Sequence, residues 1–447
     1  MAAPILVIFG ITGDLSKRKL LPALYHLLSE NLLPADLQII GISRKDLDID
    51  ELLGSVELCV LEKDNICNPD GIKNLRDSIQ SFKLDPTSSE DFQKLKQKLA
   101  ELDGDQNREH LFYMSIPPTA YAPIVEHLAS ADLNGSNSRL LLEKPFGYDA
   151  SSAEDLIKLI DQHFDESQVF RTDHYLAKET AQNMLSFRTY NPIFSTLWNN
   201  EHIKRIHIKA VESIDIEGRA EFYESTGALR DLIQSHLMQL LALTMMDLPT
   251  DMSSEQIHHS KQYFLEQLEP ADPALTLRGQ YLDYRNAVGN PDSSTETFVR
   301  MHLQHGAERW QGVDIILETG KALAAKETSI TIEFKTSHDH PSNNLRFEIQ
   351  PNEGIALDLI VKQPGLNATM RHTSLNFDYQ QSFNKDQHID AYERVLIDAI
   401  RGDQALFASS SEVMATWQVL QPILDAWKDN SNSLKFYAAG AEPKTIT

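Results

Sequence analysis

The stretch Ile5-Leu6-Val7-Ile8-Phe9-Gly10-Ile11-Thr12-Gly13-Asp14-Leu15 indicates how the first part of the chain folds. Its first five residues are all apolar, as in a strand buried on both faces of a parallel sheet. Two glycines follow, and residues 16–30 then carry leucines at helical spacing. A helix that starts at such a turn attracts phosphate with its free amide groups and its positive dipole end. The stretch therefore predicts a strand, a turn and a helix that bind a nucleotide.

A second strand, predicted at residues 37–42, bears on which dinucleotide is bound. It is followed by Ser43, Arg44 and Lys45, where NAD-preferring sites commonly have a carboxylate. The two cations suit a 2′-phosphate and favour NADP, although they are also compatible with a solvated strand end. The glycine spacing alone is a weak fingerprint, because Thr12 occupies the second glycine position of the usual Gly-x-Gly-x-x-Gly pattern.

Residues 171–179, Arg-Thr-Asp-His-Tyr-Leu-Ala-Lys-Glu, are the densest group of functional side chains in the chain. Asp173 can hold a histidine in one tautomer, as an orienting carboxylate does for a general base. His174, Tyr175 and Lys178 donate hydrogen bonds and suit a phosphate. The alternative is an exposed polar loop with an incidental ion pair.

Two later stretches carry further motifs. Glu143-Lys144-Pro145-Phe146-Gly147 follows an apolar run, and Arg230-Asp231-Leu232-Ile233-Gln234-Ser235-His236 opens a long apolar helical pattern. Together with the segments above, they resemble the glucose-6-phosphate dehydrogenase family. The resemblance runs from Ile8 to about Trp427 and includes Gly279-Gln280-Tyr281, Arg309-Trp310-x-Gly312-Val313, Gly320-Lys321-Ala322-Leu323, Gln350-Pro351-Asn352-Glu353 and Asp390-Ala391-Tyr392-Glu393-Arg394.

The resemblance implies oxidation of β-D-glucose 6-phosphate to 6-phospho-D-glucono-1,5-lactone by hydride transfer to NADP, the first step of the oxidative pentose phosphate pathway. His236 would be the general base and Asp173 would orient it. The implied substrate residues are His174, Tyr175, Lys178, Lys144, Glu212, Asp231, Lys321, Lys326 and Gln350. The predicted cofactor residues are Gly10, Thr12, Gly13, Asp14, Leu15, Lys19, Arg44, Lys45 and Lys144. NAD is a weaker alternative cofactor, and no metal is expected.

Other interpretations stay open. On the helical pattern alone, a satisfied core histidine is the favoured interpretation of His236. Lys326 stands where the family often has a phosphate-binding arginine, and Ala220-Glu221-Phe222-Tyr223 replaces the more usual Gly-Gly-Tyr-Phe. A dehydrogenase of another sugar or sugar phosphate is therefore an alternative, as is a non-catalytic NADP-binding sensor. The sequence does not decide whether Pro145 is cis.

The 447 residues predict two domains, one α/β and one α+β. Residues 1–176 are predicted as a Rossmann-type NADP-binding domain, within which residues 64–105 form solvated helices and loops. Residues 177–447 are predicted as a substrate-binding and oligomerisation domain. Strand-like runs follow one another there without a helix between each pair, which predicts an α+β fold built on a large, mainly antiparallel β-sheet with helices. The predicted strands lie near Ile5, Leu37 and Val169 and at residues 110–114, 139–142, 205–211, 297–303, 329–334 and 355–361.

The composition of the chain restricts which partners and which cellular location we expect. The net charge of −24 argues against nucleic acid or an anionic membrane as a partner. Only two cysteines occur, Cys59 and Cys67, too few for a disulfide framework and without zinc spacing. No apolar run approaches the roughly 20 residues that span a bilayer. We expect a cytoplasmic protein that binds a small sugar phosphate, and the resemblance implies a homodimer or a dimer of dimers.

Overall fold

The computed structural model of the protein describes residues 3–34, 36–62, 68–336, 341–383, 389–429 and 433–446, so Cys67 lies outside the described residues. The chain divides into two compact units. The first unit comprises residues 1–147, 151–177 and 389–410, and the second comprises residues 148–150, 178–388 and 411–447. The main division lies close to the boundary predicted after residue 176. The return of residues 389–410 to the first unit was not predicted.

The secondary structure is numbered here in chain order. The strands are β1 (Ile5–Phe9), β2 (Gln38–Ser43), β3 (Ile79–Lys83), β4 (His110–Met114), β5 (Ser138–Leu142), β6 (Val169–Thr172), β7 (Ile203–Val211), β8 (Thr276–Tyr281), β9 (Phe298–Leu303), β10 (Asp314–Gly320), β11 (Glu327–Phe334), β12 (Asn344–Gln350), β13 (Gly354–Lys362), β14 (Met370–Asp378), β15 (Phe407–Ala408) and β16 (Leu434–Tyr437). The α-helices are α1 (Leu21–Ser29), α2 (Ile49–Glu62), α3 (Pro69–Ser78), α4 (Ser89–Asp103), α5 (Tyr121–Ser130), α6 (Ala150–Asp161), α7 (Glu179–Tyr190), α8 (Pro192–Ser195), α9 (Ala220–Ala228), α10 (Met238–Met245), α11 (Ser254–Leu265), α12 (Tyr284–Val288), α13 (Tyr379–Ser382), α14 (Ala391–Arg401) and α15 (Ser410–Asp429).

Two further helices are π-helices, in which a backbone N–H bonds to the carbonyl five residues earlier. The first π-helix, Ser16–Leu20, directly precedes α1. The second π-helix, Leu229–Leu237, directly precedes α10 and carries His236. The regular helical pattern assumed for this second segment was therefore wrong in register.

The first unit is built on a seven-stranded sheet in the order β15-β6-β5-β4-β1-β2-β3. Strands β1 to β6 pair in parallel, and their order is that of a dinucleotide-binding Rossmann fold. Every residue of β1 is buried, as its continuous apolar sequence predicts. Strand β3 lies in the region predicted as solvated helices and loops, and that prediction was wrong there. Three of its five residues, Gln80, Ser81 and Lys83, are polar, which is compatible with its position at the edge of the sheet.

Residues 389–410 complete the first unit from a distant part of the chain. Helix α14 begins with a capping box in which Asp390 and Glu393 bond each other's backbone N–H groups. Its apolar face joins the core that includes α1. The Arg139 guanidinium donates to the carbonyl oxygen of Ala399 at 2.9 Å, and β15 pairs antiparallel with β6. This segment thus closes the β6 edge of the parallel sheet.

The second unit is built on a nine-stranded sheet in the order β14-β13-β12-β11-β7-β10-β9-β8-β16. Its pairs are antiparallel except β10 with β7 and β16 with β8. The predicted strands at residues 205–211, 297–303, 329–334 and 355–361 are confirmed as β7, β9, β11 and β13. The second π-helix packs against β7 and β10. No helix within the described ranges has both the length and the apolar character needed to cross a bilayer.

Candidate active site

The glycine turn after β1 leaves no room for a side chain. Gly10 has a φ of +80°, and a Cβ atom there would lie 2.4 Å from the carbonyl oxygen of Ser115. The Gly13 N–H donates to Gly10 O at 2.9 Å and closes the turn. The Ser16 hydroxyl lies 3.0 Å from Gly10 O and 2.9 Å from Ser115 Oγ. The backbone is therefore both fixed and open to close approach by a ligand.

Two adjoining cavities lie at the carboxyl ends of β1 and β2. One has a volume of about 530 Å³ and is lined in part by Lys17, Arg44 and Lys45. The other, of about 410 Å³, has a mainly apolar lining that extends to the end of β4, and Thr12 and Arg44 border both. Cations beside an apolar wall suit the phosphate and the base of a nucleotide. The predicted cofactor residues that line these cavities are Gly10, Thr12, Gly13, Arg44 and Lys45.

Three other predicted cofactor residues lie on the same turn but outside the lining of these two cavities. The Asp14 carboxylate pairs with Arg18 at 2.8 Å, and both side chains are largely exposed. Leu15 packs against the core of the first unit. Lys19 is exposed on the first π-helix. Their predicted contacts with a dinucleotide stay predictions.

Lys144 follows β5 at the same edge of the sheet, in a turn that is tightly held. The Lys144–Pro145 peptide is cis. The preceding residue, Glu143, is buried; Tyr113 donates a hydroxyl to its carboxylate at 2.5 Å, and Tyr121 donates to its carbonyl oxygen at 2.8 Å. Burial raises the pKa of Glu143 to about 7, although the Tyr113 hydroxyl and Lys144 oppose that shift. A half-buried lysine thus stands beside a carboxyl group that titrates near neutral pH.

Asp173 lies at the end of β6, next to the end of β5. Its side chain is only 2% exposed, and its Oδ1 accepts the Tyr175 N–H at 3.0 Å. The His174 ring is stacked on Tyr392, with centroids 5.9 Å apart and planes inclined by 18°. The exposed polar loop considered as an alternative is therefore wrong for Asp173 and Tyr175, which are buried. Lys178 begins the second unit and is half-buried at the N-cap of α7.

His236 lies near the end of the second π-helix and is 1% exposed. The backbone breaks at Gly227, two residues before this π-helix; Gly227 has a φ of +67°, and a Cβ atom there would lie 2.4 Å from the Glu296 carboxylate. Glu296 accepts the Leu229 N–H with its carboxylate at 3.0 Å and the Ala228 N–H with its carbonyl oxygen at 3.0 Å. Burial raises the pKa of Glu296. The buried acidic cap and the glycine together fix where the histidine-bearing helix begins.

A group of predicted sugar residues meets at one end of the nine-stranded sheet. Glu212 follows β7 and forms an ion pair with Lys321, which follows β10. The Lys321 ammonium lies 5.5 Å from the centre of the Tyr223 ring. Burial raises the pKa of the Tyr223 hydroxyl, and the nearby carboxylate of Asp231 raises it further. Glu212, Lys321 and Asp231 are thus brought together around Tyr223.

Lys326 and Gln350 lie at the same end of the sheet. Glu327, the first residue of β11, is opposite the last residue of β7, and Gln350 at the end of β12 is opposite Thr328. Lys326 is exposed, whereas Gln350 is half-buried. Four adjacent strands, β10, β7, β11 and β12, therefore have predicted substrate residues at this end of the sheet. This arrangement suits a polar ligand that carries negative charge.

The described part of the chain contains no group of three or more His, Cys, Asp or Glu side chains arranged to hold a metal ion. The residues predicted to bind cofactor and sugar offer hydrogen-bond donors, carboxylates and the buried imidazole of His236.

Comparison with known proteins gives the same result for both parts of the chain. Residues 7–183 match the family described as glucose-6-phosphate dehydrogenase, NAD binding domain, and residues 185–446 match glucose-6-phosphate dehydrogenase, C-terminal domain. A glucose-6-phosphate 1-dehydrogenase of Rhizobium meliloti is 35% identical, over 97% of this chain and 93% of that enzyme. The chain belongs to the glucose-6-phosphate dehydrogenase family.

Solved structures of glucose-6-phosphate dehydrogenases share its fold. One, determined in complex with its substrate glucose 6-phosphate, has a TM-score of 0.92 and 30% identity over 99% of this chain and 95% of that one. The enzyme from Mycobacterium avium has a TM-score of 0.88 and 31% identity, with 98% and 94% coverage. The resemblance stated from the sequence motifs is confirmed.

Several residues that support the candidate site were missed from the sequence. Ser115, Glu296 and Tyr392 had no predicted role, yet they hold the glycine turn, the start of the second π-helix and the His174 ring. Ser115 directly follows β4, so its position at a strand's carboxyl end was an available signal. Glu296 and Tyr392 gave no such local signal, because each meets its partner from a distant segment of the chain.

Proposed function

We propose that the protein oxidises β-D-glucose 6-phosphate to 6-phospho-D-glucono-1,5-lactone and reduces NADP. The observation that carries this proposal is the match of 99% of the chain to a glucose-6-phosphate dehydrogenase solved with that sugar phosphate. A lone fold match would not suffice, because one fold hosts many reactions. Here identity of 30% or more over the whole length accompanies it.

In the proposed reaction, His236 takes the proton of the C1 hydroxyl while the C1 hydride moves to the nicotinamide of NADP. The electron pair of the O–H bond then forms the carbonyl of the lactone, so the reaction needs no further oxidant. A neutral imidazole is matched to this proton transfer at physiological pH. We propose that Asp173 orients His236 and stabilises the imidazolium.

We propose that the phosphate of the sugar is anchored by His174, Tyr175 and Lys178. The remaining contacts with the sugar or its phosphate are assigned to Lys144, Glu212, Asp231, Lys321, Lys326 and Gln350. The meeting of Glu212, Lys321 and Asp231 around Tyr223 supports this assignment. Lys326 supplies charge without the bidentate fork of an arginine, so its contact is the less directional one.

For the cofactor, we propose that the turn from Gly10 to Leu15 receives the dinucleotide and that Arg44 and Lys45 receive the 2′-phosphate of NADP. The position of both cations on the larger cavity supports this assignment. Lys19 and Lys144 would lie nearer the junction of cofactor and sugar. NAD, which lacks the 2′-phosphate, is the weaker cofactor in this proposal.

We also propose that a second copy of the chain covers β14. This strand is the edge of the nine-stranded sheet and is exposed at every position except its last. Its exposed side chains include Met370, Leu375 and Phe377. An unpaired edge with apolar side chains is a typical site of association, which supports a homodimer or a dimer of dimers. The low cysteine content supports a cytoplasmic location.

One observation favours a second candidate, a dehydrogenase of a different sugar or sugar phosphate. The departure from the family pattern at Ala220-Glu221-Phe222-Tyr223 forms the first turn of α9, close in sequence to the helix that carries His236. Glu221 and Phe222 are exposed there, whereas Tyr223 is buried against Lys321. A changed first turn can change which sugar is accepted while the catalytic groups are kept.

The rate of NADPH formation with a panel of sugars separates these candidates and the non-catalytic sensor. We expect the highest specificity constant with glucose 6-phosphate and at least about 100-fold less with unphosphorylated glucose, because the phosphate anchors would lose their ligand. A higher specificity constant with another sugar phosphate would replace the proposed substrate. No turnover with any of them, in protein that binds NADP, would support the sensor.

A further inference from the structure

The helical register around His236 is unusual. Two buried glutamines flank the histidine, Gln234 two residues before it and Gln239 three residues after it. In an α-helix, residues five apart point about 140° away from each other around the axis. In a π-helix, the bond from residue i+5 to residue i brings such residues onto the same side. The Met238 N–H donates to the Ile233 carbonyl in this way, so the π register extends across His236.

Both glutamine side chains bond to one face of α15. Gln234 Nε2 donates to Thr416 Oγ1 at 3.2 Å, and Gln239 Nε2 donates to Glu412 Oε2 at 2.9 Å. Glu412 and Thr416 are four residues apart, which places them one above the other on an α-helix. The spacing of the two acceptors on α15 therefore matches two donors that the π turn across His236 brings onto the same side. Gln234 lies within the π-helix, and Gln239 is the second residue of α10.

The Glu412 end of this contact is a buried ionic cluster. Glu412 and Lys261 are both completely buried, and the Lys261 ammonium lies 2.9 Å from Glu412 Oε2. Lys261 also donates to Gln239 Oε1 at 3.2 Å, and His258 Nδ1 lies 2.6 Å from Glu412 Oε1. Burial would raise the pKa of Glu412, but Lys261 and His258 outweigh it and lower the pKa to about 2. Both ends of the Gln239 amide are therefore bound to charged groups, which fixes its orientation.

We propose that Glu412, Lys261 and Gln239, together with Gln234 and Thr416, are positioning residues that hold the second π-helix in register and so aim the His236 imidazole. None of them is proposed to touch substrate or cofactor. The inference rests on the proposed role of His236 as the base. If these bonds are removed, the turn is free to adopt the commoner α register, which rotates His236 relative to β7 and β10.

A positioning role predicts a different kinetic result from a purely structural one. Proton transfer depends steeply on the geometry of the base, and a displacement of about 1 Å can cost about 100-fold in rate. Substrate binding is proposed to depend on the groups at the end of the nine-stranded sheet, whereas Gln239 bonds to Glu412 and Lys261. Loss of the cluster should therefore lower kcat while KM for the sugar phosphate and for NADP changes little.

The variant Gln239→Met tests this, because it keeps the volume of the side chain and removes both amide bonds. Trp198→Phe is the matched control. The Trp198 Nε1–H donates to Thr244 O at 2.7 Å, so the control also removes one buried hydrogen bond from the same run of helix, but eight residues beyond His236. For each variant, kcat, both KM values, the pH profile of kcat and Tm are measured on the full chain. The double variant Glu412→Gln with Lys261→Met removes both charges together and replaces Gln239→Met if the latter does not fold.

We expect Gln239→Met to lower kcat at least about 30-fold, with both KM values within about threefold of wild type and a displaced acid limb of the pH profile. Trp198→Phe should lower Tm but leave kcat within about threefold. Equal kcat and pH profile in wild type and in the folded cluster variants would overturn the inference and leave the cluster a stability element. The proposed function is tested separately by His236→Asn, and wild-type turnover of that variant would contradict it. If His236→Asn is inactive but Gln239→Met is fully active, only the positioning role is contradicted.

Discussion

The two π-helices of this protein differ in how far they are buried and bonded to distant segments. The first, Ser16–Leu20, is bonded through the Ser16 hydroxyl to Gly10, 6 residues earlier, and to Ser115, 99 residues later. Three of its five residues are cations at or near the surface. The second, Leu229–Leu237, has seven buried residues among its nine and is bonded to α15 by side chains more than 170 positions away.

The difference follows from what each helix has to present. A helix start that receives phosphate needs free backbone N–H groups and positive charge, and a short local sequence provides both. A helix that aims one titratable side chain in the interior has to be fixed in rotation about its own axis. That requires contacts on a second face, and these come from distant segments. We expect mutations to separate the two cases.

Removal of the Lys261 charge should have the largest effect on stability. Lys261→Met leaves Glu412 as a buried carboxylate without its ammonium partner, which typically costs about 3–5 kcal/mol of unfolding free energy. The same substitution on the first π-helix, Lys19→Met, should change stability by less than about 0.5 kcal/mol, because that side chain is exposed. Urea unfolding followed by tryptophan fluorescence measures both, since Trp417 is buried on α15. Similar losses in the two variants would contradict the comparison.

Two buried carboxyl groups, one in each unit, should respond to pH with opposite signs. The folded-state pKa of Glu143 is raised to about 7 from an ordinary value near 4.5, so its contribution to stability is present below about pH 4.5 and is lost as pH rises through 7. The folded-state pKa of Glu412 is lowered to about 2, so its contribution to stability is present above about pH 4.5 and is lost as pH falls towards 2.

The variant Glu143→Gln should therefore gain stability relative to wild type as pH rises from about 5 to 8, by up to ~3 kcal/mol for a shift of this size. Unfolding free energies of wild type and variant across that range measure the difference. A difference that is constant with pH would show that Glu143 does not titrate there.

A smaller effect is expected at the nucleotide cavity beside the first π-helix. Arg44→Ala removes a cation that borders both cavities. We expect a rise of about 10- to 50-fold in KM for NADP, because a charge-assisted contact with the 2′-phosphate is lost. The specificity constant with NAD should change less than about threefold. Equal losses with both cofactors would place Arg44 elsewhere than at the 2′-phosphate.

Elements that are determined by nearby residues could be predicted from the sequence, whereas those that depend on distant segments could not. Strand β1, the turn from Gly10 to Gly13 and the helix after it were predicted, because apolar runs and glycines act over a few residues. Strand β3 was missed, since its short, half-polar sequence lacks the continuous apolar pattern of its neighbours. The return of residues 389–410 was missed because its contacts, such as Arg139 with Ala399, join segments 260 residues apart.

For the candidate site, the motifs supplied residues but not the support around them. His236 was assigned through the family resemblance, whereas its helical pattern alone favoured a core residue. The π register was not predictable, because Thr416 and Glu412 determine it from α15. Glu296 and Tyr392 were missed for the same reason: each acts on a partner far along the chain, and no local spacing marks them.

We propose that His236 is the proton acceptor in oxidation of the sugar phosphate. The most direct test is the turnover number of His236→Asn at saturating glucose 6-phosphate and NADP, in protein shown to be folded by its Tm. We predict a fall of at least about 100-fold with little change in either KM, as expected for loss of a general base. Turnover within about threefold of wild type would contradict the claim.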